Sequence, residues 1–548
     1  MRVDRIKSKQ NSKTYQSVLL RHAIRVNGKT KHITIANLSG YPEDDINAVE
    51  WALKHKNDIN NFQKFNFKRQ IYKKYGAVYF LHQVAKSLGI EKALGTDYQG
   101  KLAMLQIIHC VIQHGSVLSA ARTAADRATS EVLNIESITT EDDLYANLNW
   151  LYQNQDRIEK KLFKQNYKDN ISDIFLYDVT SSYFEGTKNE LAARGYDRDK
   201  KKGKMQVVAG LLTDGNGEPI AIRLFKGNTL DFKTVSDQIK LLAHEYSLER
   251  VTFVGDRGML KSKQIEELLS EDFHYITAIT KPQIETLLKA NIIQIGMFDK
   301  EIKEIEHEGI RYILKMNPVR AKEIQQNRTE KKQQIDKLLA MKNKYLSEHQ
   351  RSKVTTAIKE INQKINKLKL GYWLEVELDE ANARVIRLKE NEEGLTDRTQ
   401  LDGCYVIKSN LSSEVSTEII HSRYKDLKYV EDGFRTMKTV LLELRPWFVC
   451  CEESTRGRAF VVMLAYKISR YLRAKWQKIN TTVEEGISLL DSLTLLKVIE
   501  NGKVKYFEIP QQSEKMEKLT SALGVVFPEI LPYKEGNVYS RVKINNSI

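Results

Sequence analysis

A chain of 548 residues that is 41% hydrophobic is long enough to bury more than one core, which excludes global disorder. Lys and Arg outnumber Asp and Glu by 87 to 71, a formal charge of +16, so a polyanion is the first partner to consider. No uncharged apolar run reaches the roughly 18 residues of a membrane span, the amino terminus lacks a signal-peptide core, and Cys110, Cys404, Cys450 and Cys451 form no CxxC pair. These features predict a soluble cytoplasmic protein without a membrane partner, a disulfide framework or a zinc ribbon. The chain also has no P-loop, no GxGxxG after a strand and no HExxH, which argues against a nucleotide cofactor and zinc-protease chemistry.

Residues 1–60 open with a β element, because VLLRHAIRVNGKTKHITIANL alternates on both sides of Asn27-Gly28, a hairpin signal. Over 61–165 the apolar spacing becomes helical and proline is absent, as in LAMLQIIHCVIQHG. That region is either a module that reads DNA or a packing domain.

From 166 to 281 the pattern runs strand, hairpin, helix, strand, helix, strand. Asp214-Gly215-Asn216-Gly217 turns the hairpin, and the helix-linked strands are expected parallel to the first. The prediction is an α/β core: a mixed five-stranded sheet flanked by helices.

Residues 282–401 interrupt this grammar. No glycine or proline stands between Pro318 and Gly371, and Val354, Ile358, Ile361, Ile365 and Leu368 step by four and three. A helical hairpin turning near Ser347 to Ser352 follows, its many lysines read as a solvated face. Strand-like WLEVEL and ARVIRLK come next. CYVIKSN then leads back to the sheet and opens residues 402–480, where a long amphipathic helix is expected from near Ser422. Residues 481–548 carry no interpretable motif.

Two apolar runs, IFLYD and VTFVGD, stop at Asp178 and Asp256, which would set both carboxylates at the carboxyl edge of the sheet, where open α/β sheets bind ligands. Singly, each also suits a turn or a helix cap. Glu431 is the third candidate. At 100° per residue, Tyr424, Glu431, Arg435 and Lys438 project within roughly 60° of one another, beside a stripe of Leu427, Val430, Phe434, Met437 and Leu441. A surface Glu to Arg pair is the plainer reading of that helix. Three converging carboxylates need a compensating cation, and oxygen ligands without His or Cys select Mg²⁺ or Mn²⁺. Two such ions would suit phosphodiester attack.

With these residues in view, the sequence from about Asp173 to Lys475 resembles a bacterial insertion-sequence transposase of the DDE class, whose catalytic domain is ribonuclease H-like. LYDVTSSYFEG matches the first-Asp strand and FVGDRGM the second Asp, while Gly227-Asn228-Thr229 with Asp231 recurs in one branch. Tyr424, Glu431 and Lys438 fit the signature Y-x2-R-x3-E-x6-K, with Leu427 at its Arg position. The interval of 175 positions from Asp256 to Glu431 fits the insertion of that branch.

The resemblance implies that Asp178, Asp256 and Glu431 are catalytic and hold the metals, and that Tyr424 and Lys438 grip DNA phosphates. Arg257 is assigned to DNA or to pairing with a carboxylate, and Lys428 or Arg435 stands in for the missing arginine. The stretch Arg194 to Lys204 reads as a basic loop near the first Asp. The implied partners are terminal inverted repeats and target DNA, met by a homodimer, with DNA-end recognition by the amino-terminal region. The implied activity is metal-dependent cleavage at transposon ends and strand transfer. A DNA-binding descendant that has lost its chemistry, and a nuclease or resolvase on the same fold, are the competing readings.

Overall fold

A computed structural model describes residues 1–10, 13–26, 29–55, 68–136, 139–167, 173–186, 188–196, 198, 201, 203–438, 447, 449–500 and 502–532. The chain divides into two compact units, the smaller comprising residues 1–73, 493–511 and 527–534. In it, β1 (Arg2–Gln10), β2 (Lys13–Val26) and β3 (Lys29–Asn37) form an antiparallel meander. The expected hairpin is β2 with β3, in register Val26↔Lys29, and its Asn27-Gly28 turn lies outside the described residues. Helix Glu43–Lys54 is fastened to β1 by Arg5, which donates to Glu43 at 2.6 Å and Asn47 at 2.8 Å.

A second sheet in this unit joins β4 (Lys68–Lys74) to β15 (Thr494–Glu500), β16 (Lys503–Glu508) and β17 (Ile530–Pro532), in the order β17-β16-β15-β4. The helical expectation for 61–165 therefore fails at KRQIYKK. That segment becomes a strand because its partner comes from the far end of the chain, and no local periodicity announces such a pairing.

In the larger unit, the helical pattern holds from Gly76. Helices Gly76–Ser87, Tyr98–Ile112, Val117–Ala125, Glu141–Gln153 and Gln155–Asn166 follow one another, with two short helices between them. Asp97 caps Tyr98–Ile112 by accepting the Gly100 N–H at 2.8 Å. The long helix Glu452–Trp476 packs on Tyr98–Ile112 and Glu141–Gln153, and every residue from Gly457 to Ser469 is buried, so it is a core helix on all its faces. Among the described residues no single helix is long and apolar enough to cross a membrane.

The main sheet contains the five expected strands in the expected sense: β5 (Ile174–Tyr183), β6 (Gln206–Asp214), β7 (Pro219–Lys226), β8 (Thr252–Gly255) and β9 (His274–Ala278). β6 is antiparallel to β5 and β7, whereas β5, β8 and β9 are parallel. The Asp214 carboxylate organises the β6–β7 turn, accepting from Asn216 N at 2.9 Å and Glu218 N at 2.8 Å, and Gly217 supplies a φ of +82°.

Five strands do not complete it. β10 (Lys303–His307), β11 (Ile310–Met316) and β14 (Cys404–Ser409) extend the sheet to eight, in the order β10-β11-β14-β9-β8-β5-β6-β7. The additions are antiparallel, and they occupy the edge of β9 that would otherwise be open. The interrupting segment thus contributes strands to the main sheet as well as a small core of its own. In that core the helical hairpin Pro318–Glu348 and Val354–Leu368 packs Ile335, Leu346, Ile361 and Ile365 against β12 (Leu374–Leu378) and β13 (Ile386–Glu390).

Alternation along β5 sorts the layers. Phe175, Tyr177 and Val179 face a core with Val208, Phe253 and Tyr275, so Leu176, Asp178 and Thr180 face the opposite side. On the opposite side lies helix Lys428–Lys438, packed on β5 and β6. The long helix expected from Ser422 is in fact two, Thr417–Lys425 and Lys428–Lys438, broken at Asp426-Leu427. Leu441 of the predicted stripe lies outside the described residues.

Candidate active site

β5 does not stop at Asp178, as the apolar run suggested. It continues to Tyr183 because β6 pairs along its whole length, from Phe175↔Asp214 to Tyr183↔Gln206. On the other side the parallel partner β8 ends at Gly255, opposite Tyr177. Asp178 therefore stands where one neighbouring strand runs out, and Asp256 is the first residue beyond that end.

Glu431 arrives from above the sheet. Asp178 is paired with Leu211 of β6, and Leu211 meets Gly433 of the glutamate helix. A Cβ at Gly433 would sit 3.2 Å from both Leu211 Cδ2 and Tyr466 Oη, so the glycine sets how closely the helix lies on the strand. Asp178, Asp256 and Glu431 line a single cavity of about 580 Å³.

The electrostatics follow from this crowding. Burial, then the nearby Asp256 and Glu431 carboxylates, push the Asp178 carboxyl up to about 7, opposed by the Val179 N–H bonded to Oδ1 at 2.8 Å and by Arg198. The lining carries four acids, Asp178, Asp231, Asp256 and Glu431, and four cations, Arg198, Arg257, Arg435 and Lys438. Among the described residues no group of three or more Asp, Glu, His or Cys side chains is placed to hold a metal ion as the side chains stand. The donor set is hard oxygen throughout, which fits a divalent cation that completes its shell with water and substrate oxygens.

Residues 170–468 match the family model described as a transposase DDE domain, over half of the chain, and residues 3–64 match the IS1634 family transposase N-terminal domain. The chain belongs to the DDE transposases. No curated protein matches it. Among solved structures, the piggyBac transposase synaptic complex with hairpin DNA is similar at 9% identity and a TM-score of 0.37, covering 78% of this chain and 82% of that one. DDE transposases cleave DNA and join strands with divalent metal ions, and this chain is a DNA transposase.

The transposase signature residues reach the cavity by different routes. Tyr424 precedes the helix break, so it does not share a helical face with Glu431. It donates from Oη to Asp256 Oδ1 at 3.0 Å. Burial, then Asp256, push the Tyr424 phenol upward, which keeps it a donor. Lys438 lines the cavity and donates to the Ser181 carbonyl. Arg435 lines it too, paired with Asp432, and Arg257 is exposed at its rim.

Lys428 is not brought in. Its ammonium lies 5.0 Å from the Tyr429 ring centroid, outside the cavity lining, at the first turn of the glutamate helix. Leu427, at the signature's Arg position, is 8% exposed and belongs to the core.

Two cavity residues were assigned no such place by the sequence. Asp231 was read with its turn motif and Arg198 with a basic loop, yet Arg198 Nη2 donates to both Asp231 oxygens, at 2.7 and 2.6 Å, inside the cavity. Of that loop, Asp197, Asp199, Lys200 and Lys202 lie outside the described residues.

Proposed function

We propose that Asp178, Asp256 and Glu431 are the catalytic acids of this transposase. The observation that carries the reading is their convergence: residues from β5, from the end of β8 and from a helix 175 positions later line one cavity. Two of them also push the pKa of the third upward.

These carboxylates would hold Mg²⁺ or Mn²⁺, as two ions. When bound, such ions supply Lewis acidity to a phosphodiester and a nucleophile at neutral pH. The chain's own groups then bind and orient the DNA. Tyr424 either fixes Asp256, as its hydroxyl does here, or turns that one donor to a phosphate, while Lys438 and Arg435 offer point charge and a guanidinium to phosphate oxygens, and Arg257 does so from the rim. Water attacks the phosphodiester at each transposon end, and the freed 3′ hydroxyl attacks target DNA.

We read the segment β9-β8-β5-β6-β7 as ribonuclease H-like, supported by its strand order and by three parallel strands beside an antiparallel hairpin. Residues 166–281 and 402–480 then form the catalytic core, 282–401 the insertion, 1–60 and 61–165 regions that help recognise terminal inverted repeats, and 481–548 a carboxyl-terminal region. A homodimer acting on paired ends in the cytoplasm completes the proposal.

The test is cleavage and joining on DNA bearing the inverted repeats that flank the coding frame, with Mg²⁺. Asp178→Asn, Asp256→Asn and Glu431→Gln should each abolish both steps while end binding in EDTA persists. A variant that keeps wild-type turnover removes its residue from the site.

A further inference from the structure

Besides the three acids, the cavity holds a second charged constellation. Arg198 enters it with its backbone fixed, the amide donating to Ser181 Oγ at 3.0 Å, and Ser181 is three residues beyond Asp178 on β5. Its Nη2 is committed to both oxygens of Asp231. Nε and Nη1 have no hydrogen-bond partner among the described residues, so the guanidinium is anchored through Nη2 and its Nη1 hydrogens are available. Arg198 is near enough to Asp178 to oppose the rise in its pKa.

The other cations around the cavity are placed differently. Arg435 pairs through Nη2 with the half-exposed Asp432 and is itself 71% exposed, so its guanidinium is not fixed in advance, Lys438 is bonded to the Ser181 carbonyl, and Lys428 lies outside over Tyr429. Arg257 is at the exposed rim. The signature position where an arginine is expected holds Leu427, which is buried. A donor fixed before substrate arrives is worth more than one that must be ordered on binding.

We infer that Arg198, held in place by Asp231, is the guanidinium that grips the phosphodiester under attack. This rests on the reading of Asp178, Asp256 and Glu431 as the catalytic acids. The attacking oxygen of water or of a 3′ hydroxyl forms a bond to phosphorus and gives up its proton. The opposite P–O bond breaks, and its electron pair leaves on the 3′ oxygen, which takes up a proton. Negative charge builds on the non-bridging oxygens meanwhile, and Nη1 of Arg198 donates to one of them. Arg198 is thus a catalytic residue, and Asp231 a positioning residue that acts through it.

The full-length protein tests this on end-bearing duplex DNA with Mg²⁺, reading end affinity in EDTA separately from the single-turnover cleavage rate at saturating protein. Arg198→Ala should cleave about 100-fold more slowly, with end affinity changed less than about threefold. Arg198→Lys, which keeps charge without the fork, should recover part of the rate. Asp231→Asn should slow cleavage about tenfold, yet add little to Arg198→Ala in the double variant.

Cleavage by Arg198→Ala at the wild-type rate overturns the inference. So does a loss of end binding as large as the loss of rate, or additive effects of the two substitutions. If Arg198→Ala does not fold, Arg198→Gln is read against the same outcomes. Asp178→Asn run alongside separates the layers: an active Asp178→Asn sinks the underlying site, whereas an inactive one beside a fully active Arg198→Ala sinks only the role given to Arg198.

Discussion

Tyr424 donates its hydroxyl to Asp256 Oδ1 at 3.0 Å across a break between two helices, so the helix before the glutamate steers the aspartate after β8. Tyr424→Phe removes that bond and leaves the ring. A hydrogen bond to a charged group is worth ~1.5–3 kcal/mol, so cleavage should slow about 10- to 100-fold, with end binding reduced far less. Single-turnover cleavage assays decide it, and an unchanged rate would mean that the contact is idle.

Gly217 links the β6–β7 turn to the glutamate helix. Its φ is +82°, and a Cβ there would meet Tyr429 Cβ at 2.6 Å, two residues before Glu431. Gly217→Ala adds backbone strain and pushes that helix, and should cost about 1–3 kcal/mol of stability. Cleavage should fall with it. Urea melts and cleavage assays are the checks; a variant of wild-type stability would contradict the packing described.

Glu159, whose side chain is fully buried, is held by Arg223 at 2.8 and 3.0 Å, tying helix Gln155–Asn166 to β7. Burial pushes the Glu159 carboxyl upward even so. Arg223→Met strands the carboxylate and should destabilise by about 3–5 kcal/mol at neutral pH, whereas pairing it with Glu159→Gln should recover much of the loss. The sign is checked by pH. Without the arginine the folded-state value rises further above the unfolded one, so the single variant should regain stability as the pH falls and lose it as the pH rises.

A histidine gives the opposite slope. Burial, then the Arg127 cation, hold His109 down to about 3 from 6.5, against a smaller pull from Asp491. Between those values the unfolded chain binds a proton that the folded chain refuses. Its contribution is therefore complete above 6.5 and is lost toward 3, by at most ~1.4 kcal/mol per pH unit. Urea midpoints at pH about 7 and about 5 should diverge more for the wild type than for His109→Gln; parallel slopes would remove His109 as the cause.

Much of the site could be read locally. Asp178 and Asp256 follow apolar runs that only central strands need, and Glu431 lies at the border of a helical stripe. What could not be read depended on partners distant in sequence. KRQIYKK looks like a polar helix or loop until residues 494–500 pair with it, and KEIEH becomes a strand only because β11 lies beside it. The break at Asp426-Leu427 has neither proline nor glycine to announce it, so helical arithmetic put Tyr424 on one helical face with Glu431 when it stands on the preceding helix. Asp231 and Arg198 were passed over because each alone suits a turn or a solvated loop, and it is their bidentate pairing inside the cavity that distinguishes them.

The position of β14 has a consequence for biosynthesis. It is the strand that covers the outer edge of β9, yet 126 positions of chain separate Ala278 from Cys404. At about 5–20 residues per second, a ribosome leaves that edge uncovered for on the order of ten seconds. During this interval the nascent chain exposes an unpaired row of amides and carbonyls to any other strand nearby. The high contact order of this closure makes yield on expression sensitive to temperature and translation speed, and the half-made sheet is the species a chaperone would have to shield.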